Sequence, residues 1–174
     1  MAALSCGAGT TRAADFSIDH VGPEAWERFR AAYLSAMRDA PEAFSRSVCA
    51  EESLDAEVWR GRMVRGLTLL VALGGTDVGL AMACAAPGRT GDATFGVWVS
   101  PGSRGQGLGG RLVDEVLVWA RRGGFARAVL NVTDDNAAAI HLYERKGFVA
   151  TGVCGALPPP REHITKHERA LPLG

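Results

Sequence analysis

Lysine and isoleucine are nearly missing from this chain. Lys146 and Lys166 are the only lysines among 19 basic residues, and isoleucine occurs three times, at 18, 140 and 164. That bias looks like GC-rich coding, and no function follows from it. No stretch approaches the ~18 apolar residues of a membrane span, and residues 1–14 lack the basic and apolar regions of a secretory signal. These absences predict a flexible N-terminus over 1–14, a single domain over 15–174, a cytoplasmic location and no membrane partner. Cysteine is sparse as well: Cys6, Cys49, Cys84 and Cys154 have no paired spacing, so neither a disulfide framework nor a zinc site is indicated. His163 and His167 have the one suggestive metal spacing, but on a strand their rings would stand roughly 13 Å apart, and no metal is expected. Neither sign of charge is in excess. Acidic and basic residues number 19 each, which argues against nucleic acid held by bulk positive charge. The balance hides a gradient: residues 1–92 carry 12 acids and 9 bases (net −3), and residues 93–174 carry 7 acids and 10 bases (net +3). The second half suits an anion and the first half a cation. No internal repeat appears, and no Ser-His-Asp or Cys-His grouping is readable.

What is present is a globular composition: 174 residues, 47% apolar and 22% charged. A chain of this size buries roughly 69% of its surface on folding, enough for a real core. Apolar residues at three- and four-residue intervals from Trp26 to Met37, behind Pro23, predict a helix that stops at Asp39–Glu42. A loop through Phe44 and Glu51 then leads to a second helix near 55–64, with Ser53 or Asp55 as its cap. Apolar runs at 68–73, 78–85 and 93–99, separated by Gly-rich turns, predict an antiparallel meander. Leu108, Leu112, Val113, Val116, Leu117 and Ala120 form one stripe of a helix that Gly123 and Gly124 end. The nearly continuous apolar run 126–132 predicts a strand paired in parallel with 93–99, which makes 93–132 a βαβ crossover. A helix over 136–146 and strands at 148–153 and 165–171 complete the chain, the last two flanking a loop with Pro158, Pro159 and Pro160.

Between the third strand and the long helix stand Arg104, Gly105, Gln106, Gly107, Leu108, Gly109 and Gly110. Glycines there let backbone N–H groups approach a ligand closely, and the first helical turn adds unsatisfied donors and a partial positive charge. That combination suits phosphate oxygens, though it also suits a plain structural turn. Gly105, Gly107 and Gly110 spell the dinucleotide pattern G-x-G-x-x-G, with Asp134 ending the following strand. Against that reading, the loop is long and too little chain follows for a second nucleotide-binding half. A Walker A loop is excluded, because Arg111 and Leu112 stand where Lys and Ser or Thr are required.

Arg-x-x-Gly-x-Gly at Arg104, Gly107 and Gly109 resembles the pyrophosphate-binding signature of the GNAT superfamily of acyl-CoA-dependent N-acetyltransferases. Downstream, Asn136, Ala139, Leu142, Tyr143, Gly147 and Phe148 resemble that family's N-x-x-A-x-x-L-Y-x-x-x-G-F helix. The resemblance is strongest over 93–152. It implies an α/β (α+β) fold, with a mixed central sheet of about six to seven strands, an antiparallel N-terminal meander and about four flanking helices. It also implies acetyl-CoA as cosubstrate, its pantetheine arm on the backbone of Val97, Trp98 and Val99, and its pyrophosphate on the amides from Arg104 to Gly110. Asn136 would bond the pantetheine amide, although it serves equally as a helix N-cap. Tyr143 lies seven residues beyond Asn136, so both face one side of the helix, and the resemblance makes Tyr143 the general acid for the departing thiolate.

The acceptor is expected to be a primary amine of a small molecule, attacking the thioester directly, with a backbone N–H near Trp98 or Val99 holding the oxyanion. Strand 93–99 contains no acid, so Glu51, Glu52, Asp134, Glu168 or an ordered water are the candidates for handling the amine's proton. Two other functions fit the same motifs: acetylation of a protein N-terminus or lysine, and a CoA-binding sensor without turnover. The proline loop would wall off a narrow acceptor cavity or serve only as a rigid connector. Dimers are common in the family, and a homodimer fits it; no interface is readable.

Overall fold

A computed structural model describes residues 16–44 and 46–174. The segment 1–14, with Cys6, lies outside the described residues. Seven strands, β1 (Phe16–His20), β2 (Gly66–Leu73), β3 (Thr76–Ala85), β4 (Asp92–Val99), β5 (Arg127–Thr133), β6 (Val149–Ala156) and β7 (Thr165–Pro172), form one sheet in the order β1-β2-β3-β4-β5-β7-β6. Five helices flank it: α1 (Trp26–Asp39), α2 (Val48–Glu52), α3 (Ala56–Met63), α4 (Leu108–Arg122) and α5 (Ala137–Arg145). This is the mixed α/β architecture that the sequence implies, with one more helix. Glu51 and Glu52, expected in a loop, lie on α2, which Ser47 caps by accepting from the Ala50 N–H at 3.3 Å. Five residues are too few to leave a periodic signal. Asp55 caps α3, accepting from the Val58 N–H at 3.0 Å.

Alternation along the strands sorts the sheet into two faces. Leu67, Leu69, Val71, Ala81, Ala83, Phe95, Leu130 and Val132 pack against the apolar stripe of α4 and against Tyr143 and Phe148. Leu70 and Leu80 point the other way, to Ala32 and Ala36 of α1. A further cluster, Phe29, Leu34, Met37, Trp59 and Met63, joins α1 to α3. Among the described residues, no helix is long and apolar enough to cross a membrane.

Every neighbouring pair in the sheet is antiparallel except β4 and β5, and that pair is short. Asp92, Ala93 and Thr94 meet Arg127, Ala128 and Val129, and the pairing then stops. β4 continues on β3 as far as Val99, while β5 continues on β7 as far as Thr133 opposite Lys166. The sheet therefore splits between 95–99 and 130–133. Its closed end is clamped by Arg127, which donates from Nε and Nη2 to the two carboxylate oxygens of the buried Asp92, both at 2.9 Å.

Candidate functional site

Backbone parity decides which groups of β4 face the split. The Ala86 N–H donates to the Asp92 carbonyl and the Ser100 N–H to the Val78 carbonyl, both at 2.8 Å. Alternation between those two anchors turns the N–H and C=O of Gly96 and Trp98 toward β3, and those of Phe95, Val97 and Val99 toward the split. Of the three residues the sequence assigns to a pantetheine arm, Val97 and Val99 present backbone there, whereas Trp98 presents its side chain. By the same parity, Val99 and not Trp98 offers the N–H. The Val99 carbonyl accepts from Arg104 Nε at 2.9 Å.

At the open end of the split the chain makes one tight turn, Pro101–Ser103, before the glycine loop. Gly105 and Gly107 have φ of +76° and +80°, a region glycine adopts without strain. The first helical bond of α4 runs from the Arg111 N–H to the Gly107 carbonyl at 3.2 Å, so the N–H groups of Leu108, Gly109 and Gly110 have no partner within the helix. A Cβ on Gly109 would stand 3.3 Å from Leu142 of α5 and 3.9 Å from Val99, and one on Gly110 would stand 3.6 Å from Lys146. Bare backbone thus lets the first turn of α4 close on α5 beside the end of β4. Gln106 is exposed, as are Arg104, Gly105 and Gly107 beside it. Arg104 turns its guanidinium inward, bonding Asp39 at the end of α1, and that carboxylate also accepts from Trp98 Nε1 at 2.8 Å.

From α5, Asn136 and Tyr143 line one cavity of about 310 Å³ that runs through the split. Asn136 caps the helix with Oδ1, which accepts from the Ala139 N–H at 3.1 Å, and its Nδ2 keeps two donors free. Tyr143 is 6% exposed, set edge-on to Phe95 and Phe148 at 6.1 and 5.8 Å between ring centres. Burial pushes its phenol up to about 12. Tyr33 of α1 also lines the cavity; burial raises its phenol, and the Glu51 carboxylate adds to the rise.

The four carboxylates singled out in the sequence do not line this cavity, and each is engaged elsewhere. Glu51 is fully buried against Arg62 at 2.5 Å and Arg46 at 3.4 Å. Glu52 pairs with Arg38, Asp134 with His167 at 2.7 Å, and the buried Glu168 with Arg89. The carboxylate that does line the cavity is Glu42, in the turn Pro41–Ala43 after α1, and it has no ion-pair partner among the described residues. The sequence marks it only as part of the stop after the first helix, because the direction of this three-residue turn is set by packing. The proline loop completes the wall: Leu157 lines the cavity, and Arg161 donates to the Pro41 carbonyl.

Known proteins resemble this chain in sequence and in fold. Residues 26–148 match the Acetyltransferase (GNAT) family. A streptothricin acetyltransferase of Streptomyces lavendulae is 44% identical over 59 residues, 34% of this chain and 31% of that protein. A mycothiol acetyltransferase of Geodermatophilus obscurus is 39% identical over 71 residues, 38% of this chain and 23% of that protein. The chain spans about a third or less of the length of the curated relatives it matches. Among solved structures, a GNAT-family acetyltransferase from Streptococcus pneumoniae superposes with a TM-score of 0.77 at 22% identity, covering 92% of this chain and 100% of that one. YncA of Salmonella typhimurium, solved with its cofactor acetyl-CoA, gives 0.76 at 20% identity, covering 92% and 95%. The structural likenesses show the fold; the family match, which takes in both the glycine loop and the Asn136–Phe148 helix, shows that the chain belongs to the acetyltransferase (GNAT) family.

Proposed function

We propose that this protein transfers an acetyl group from acetyl-CoA to a primary amine of a small molecule, by direct attack and with Tyr143 as general acid. The observation that carries the reading is the split itself. Backbone of Val97 and the side chains of Asn136 and Tyr143 meet at one cavity in it, and the Val99 N–H and the orphan N–H groups at the start of α4 lie together at its open end. Those groups fit a peptide-like arm ending in a diphosphate. Bound acetyl-CoA supplies an activated acyl thioester.

Val99 N–H, facing the split, is positioned to stabilise negative charge on the carbonyl oxygen under attack. Tyr143 carries its proton near neutral pH, since burial pushes the phenol up to about 12. Donation to an ordinary thiolate, at about 8.5, would be uphill by roughly 3.5 units, or about 5 kcal/mol. The role therefore requires the sulfur to share the dry cavity, where a thiol is pushed up too; the partly buried Cys84 of this chain is raised for that reason. On the acceptor side, Glu42 attracts an ammonium and takes its proton, directly or through water. The free thiols of Cys49, Cys84 and Cys154 suit a reducing compartment, and the proposal includes a cytoplasmic location.

Thiol release from acetyl-CoA, followed with a panel of small amines and of peptides, tests the assignment. Small amines are expected to be acetylated in preference to peptides, since the Arg161–Pro41 contact and Leu157 narrow the acceptor side. Turnover with peptides alone would move the protein to the protein-acetylating branch. CoA binding without turnover on any amine would make it a sensor.

A further inference from the structure

On the α1 face of the sheet a second cavity, of about 300 Å³, lies beside the first. Its floor is Met82 and Cys84 of β3 with Thr94 and Gly96 of β4, and its rim holds Arg62 of α3 and Arg65 of the following turn. Met82, Phe95 and Gly96 line both cavities, so the two share a wall. Gly96 keeps that wall low. It sits in the middle of β4, inside the sheet, yet it is exposed, and a Cβ there would meet nothing within 4 Å. Strand alternation points that vacant position to the same face as Thr94 and Trp98. One trough therefore runs from Arg65, over Gly96, to Glu42 and the mouth of the split.

The ends of the trough differ in charge: Arg62 and Arg65 stand at one, and Glu42 at the other, in a cavity whose far wall also includes Lys166. Arg62 is held by Glu51 at 2.5 Å and lies over the Trp59 ring at 4.6 Å, so its charge is answered. Arg65 has no acidic partner among the described residues. Its position is fixed by its neighbour: a Cβ on Gly66 would come 1.9 Å from the Ala83 carbonyl, so only glycine lets the chain enter β2 this close to β3. The same guanidinium acts on Cys84, whose thiol it pulls down against the upward push of burial.

We infer that the acceptor amine carries an anionic group, a carboxylate or a phosphate, which Arg65 binds while the amine lies at Glu42. The inference rests on the amine acetylation proposed above and specifies its substrate class. A cation at one end and a carboxylate at the other fix both the identity and the direction of the substrate, because the reversed pose sets like charges together.

The test uses the full chain with acetyl-CoA and three homologous series of equal chain length: ω-amino acids, their primary amides and ω-aminoalkyl phosphates. Turnover is followed by thiol release, and binding to the CoA-loaded protein by calorimetry. At the chain length that spans the trough, one anionic series is expected to exceed the amides by about tenfold or more in kcat/KM and in affinity. Which series wins identifies the anion. Arg65→Gln is expected to bring the anionic-to-neutral ratio close to one in both measurements. A ratio near one in the wild type, or one that Arg65→Gln leaves unchanged, overturns the inference while amine acetylation stands. Failure to bind CoA, or to acetylate any amine, overturns the proposed function and this inference with it.

Discussion

Removing the Glu51 carboxylate separates a structural role from a catalytic one. Glu51 is fully buried at the end of α2; one oxygen meets Arg62 Nη1 at 2.5 Å, and the other lies 3.4 Å from Arg46 without a hydrogen bond. Arg62 is itself set over Trp59 and 5.7 Å from the Tyr33 ring centre, in the cluster that joins α1 to α3. Glu51→Ala leaves that guanidinium with apolar neighbours, and breaking a buried pair on one side costs about 3–5 kcal/mol. The lower end applies, because the Arg62 side chain keeps 22% of its exposure and water relieves part of the cost. Arg46, at 63%, relaxes into solvent and adds ~0–1 kcal/mol. The expected loss is about 3 kcal/mol out of a total of roughly 5–15. With a urea slope near 2 kcal/mol per M, the unfolding midpoint falls by roughly 1.5 M. In the double variant Glu51→Leu/Arg62→Met, which removes both charges, most of the loss is expected to return. Acetylation per folded molecule should stay within a few-fold in Glu51→Ala. An unchanged midpoint combined with a hundredfold fall in kcat would refute this reasoning and make Glu51 the base.

Tyr143→Phe is expected to lower kcat by about 10²-fold while CoA affinity, read by calorimetry, changes less than a few-fold. The same variant has a signature in alkaline unfolding. A phenol raised from 10 to about 12 by burial contributes stability that is fully present below pH 10 and is lost as pH rises through 12. Two units correspond to about 2.7 kcal/mol, so the wild type should lose roughly that much more than Tyr143→Phe over this window; equal losses would place the phenol in water. Gly107→Ala imposes a left-handed conformation on a residue with a Cβ, costing about 1–2 kcal/mol, and should weaken CoA while leaving pantetheine nearly untouched. Equal weakening of both ligands would take the diphosphate away from the loop. Asp92 is held below the usual carboxylate range, chiefly by its hydrogen bonds from Arg127, so it contributes stability above its unfolded pKa of about 3.9 that disappears as pH falls through the lower folded value. Asp92→Asn should flatten the acid limb of a stability–pH curve, and an unaltered limb would count against the clamp.

The fold was legible where the chain repeats itself or needs special backbone. The stripe from Leu108 to Ala120, the meander turns and the glycines at 105, 107 and 147 each carry a local physical signature, and the elements they predict are present. α2 left no trace because five residues complete little more than one turn. The site was legible in the same uneven way. Asn136 and Tyr143 could be placed on one face by helical arithmetic alone, and they line one cavity. The carboxylates could not be ranked, because a Glu reads alike in sequence whether it is sealed against Arg62, as Glu51 is, or open to a cavity, as Glu42 is. Asp39 was invisible for a related reason: its partners Trp98 and Arg104 lie 59 and 65 residues away.

That distance matters for how the split works. A sheet that stops pairing in its interior leaves backbone N–H and C=O groups without partners, and each such group costs free energy comparable to a lost hydrogen bond unless something else satisfies it. In the described structure the Val99 carbonyl is satisfied by Arg104, and Arg104 is in turn held by Asp39, which also fixes Trp98. If the guanidinium joins the loop amides on the diphosphate that the proposed function places there, the Val99 carbonyl and Asp39 are released together, at the point where α1, β4 and the glycine loop meet. Asp39→Asn weakens the contact that holds Arg104 away from the loop without touching the loop itself. We expect it to tighten CoA binding about threefold or more in calorimetry at low salt, with the gain absent in Arg104→Gln. Weaker CoA binding in Asp39→Asn, at unchanged unfolding midpoint, would show that Asp39 positions Arg104 for the ligand and does not compete for it.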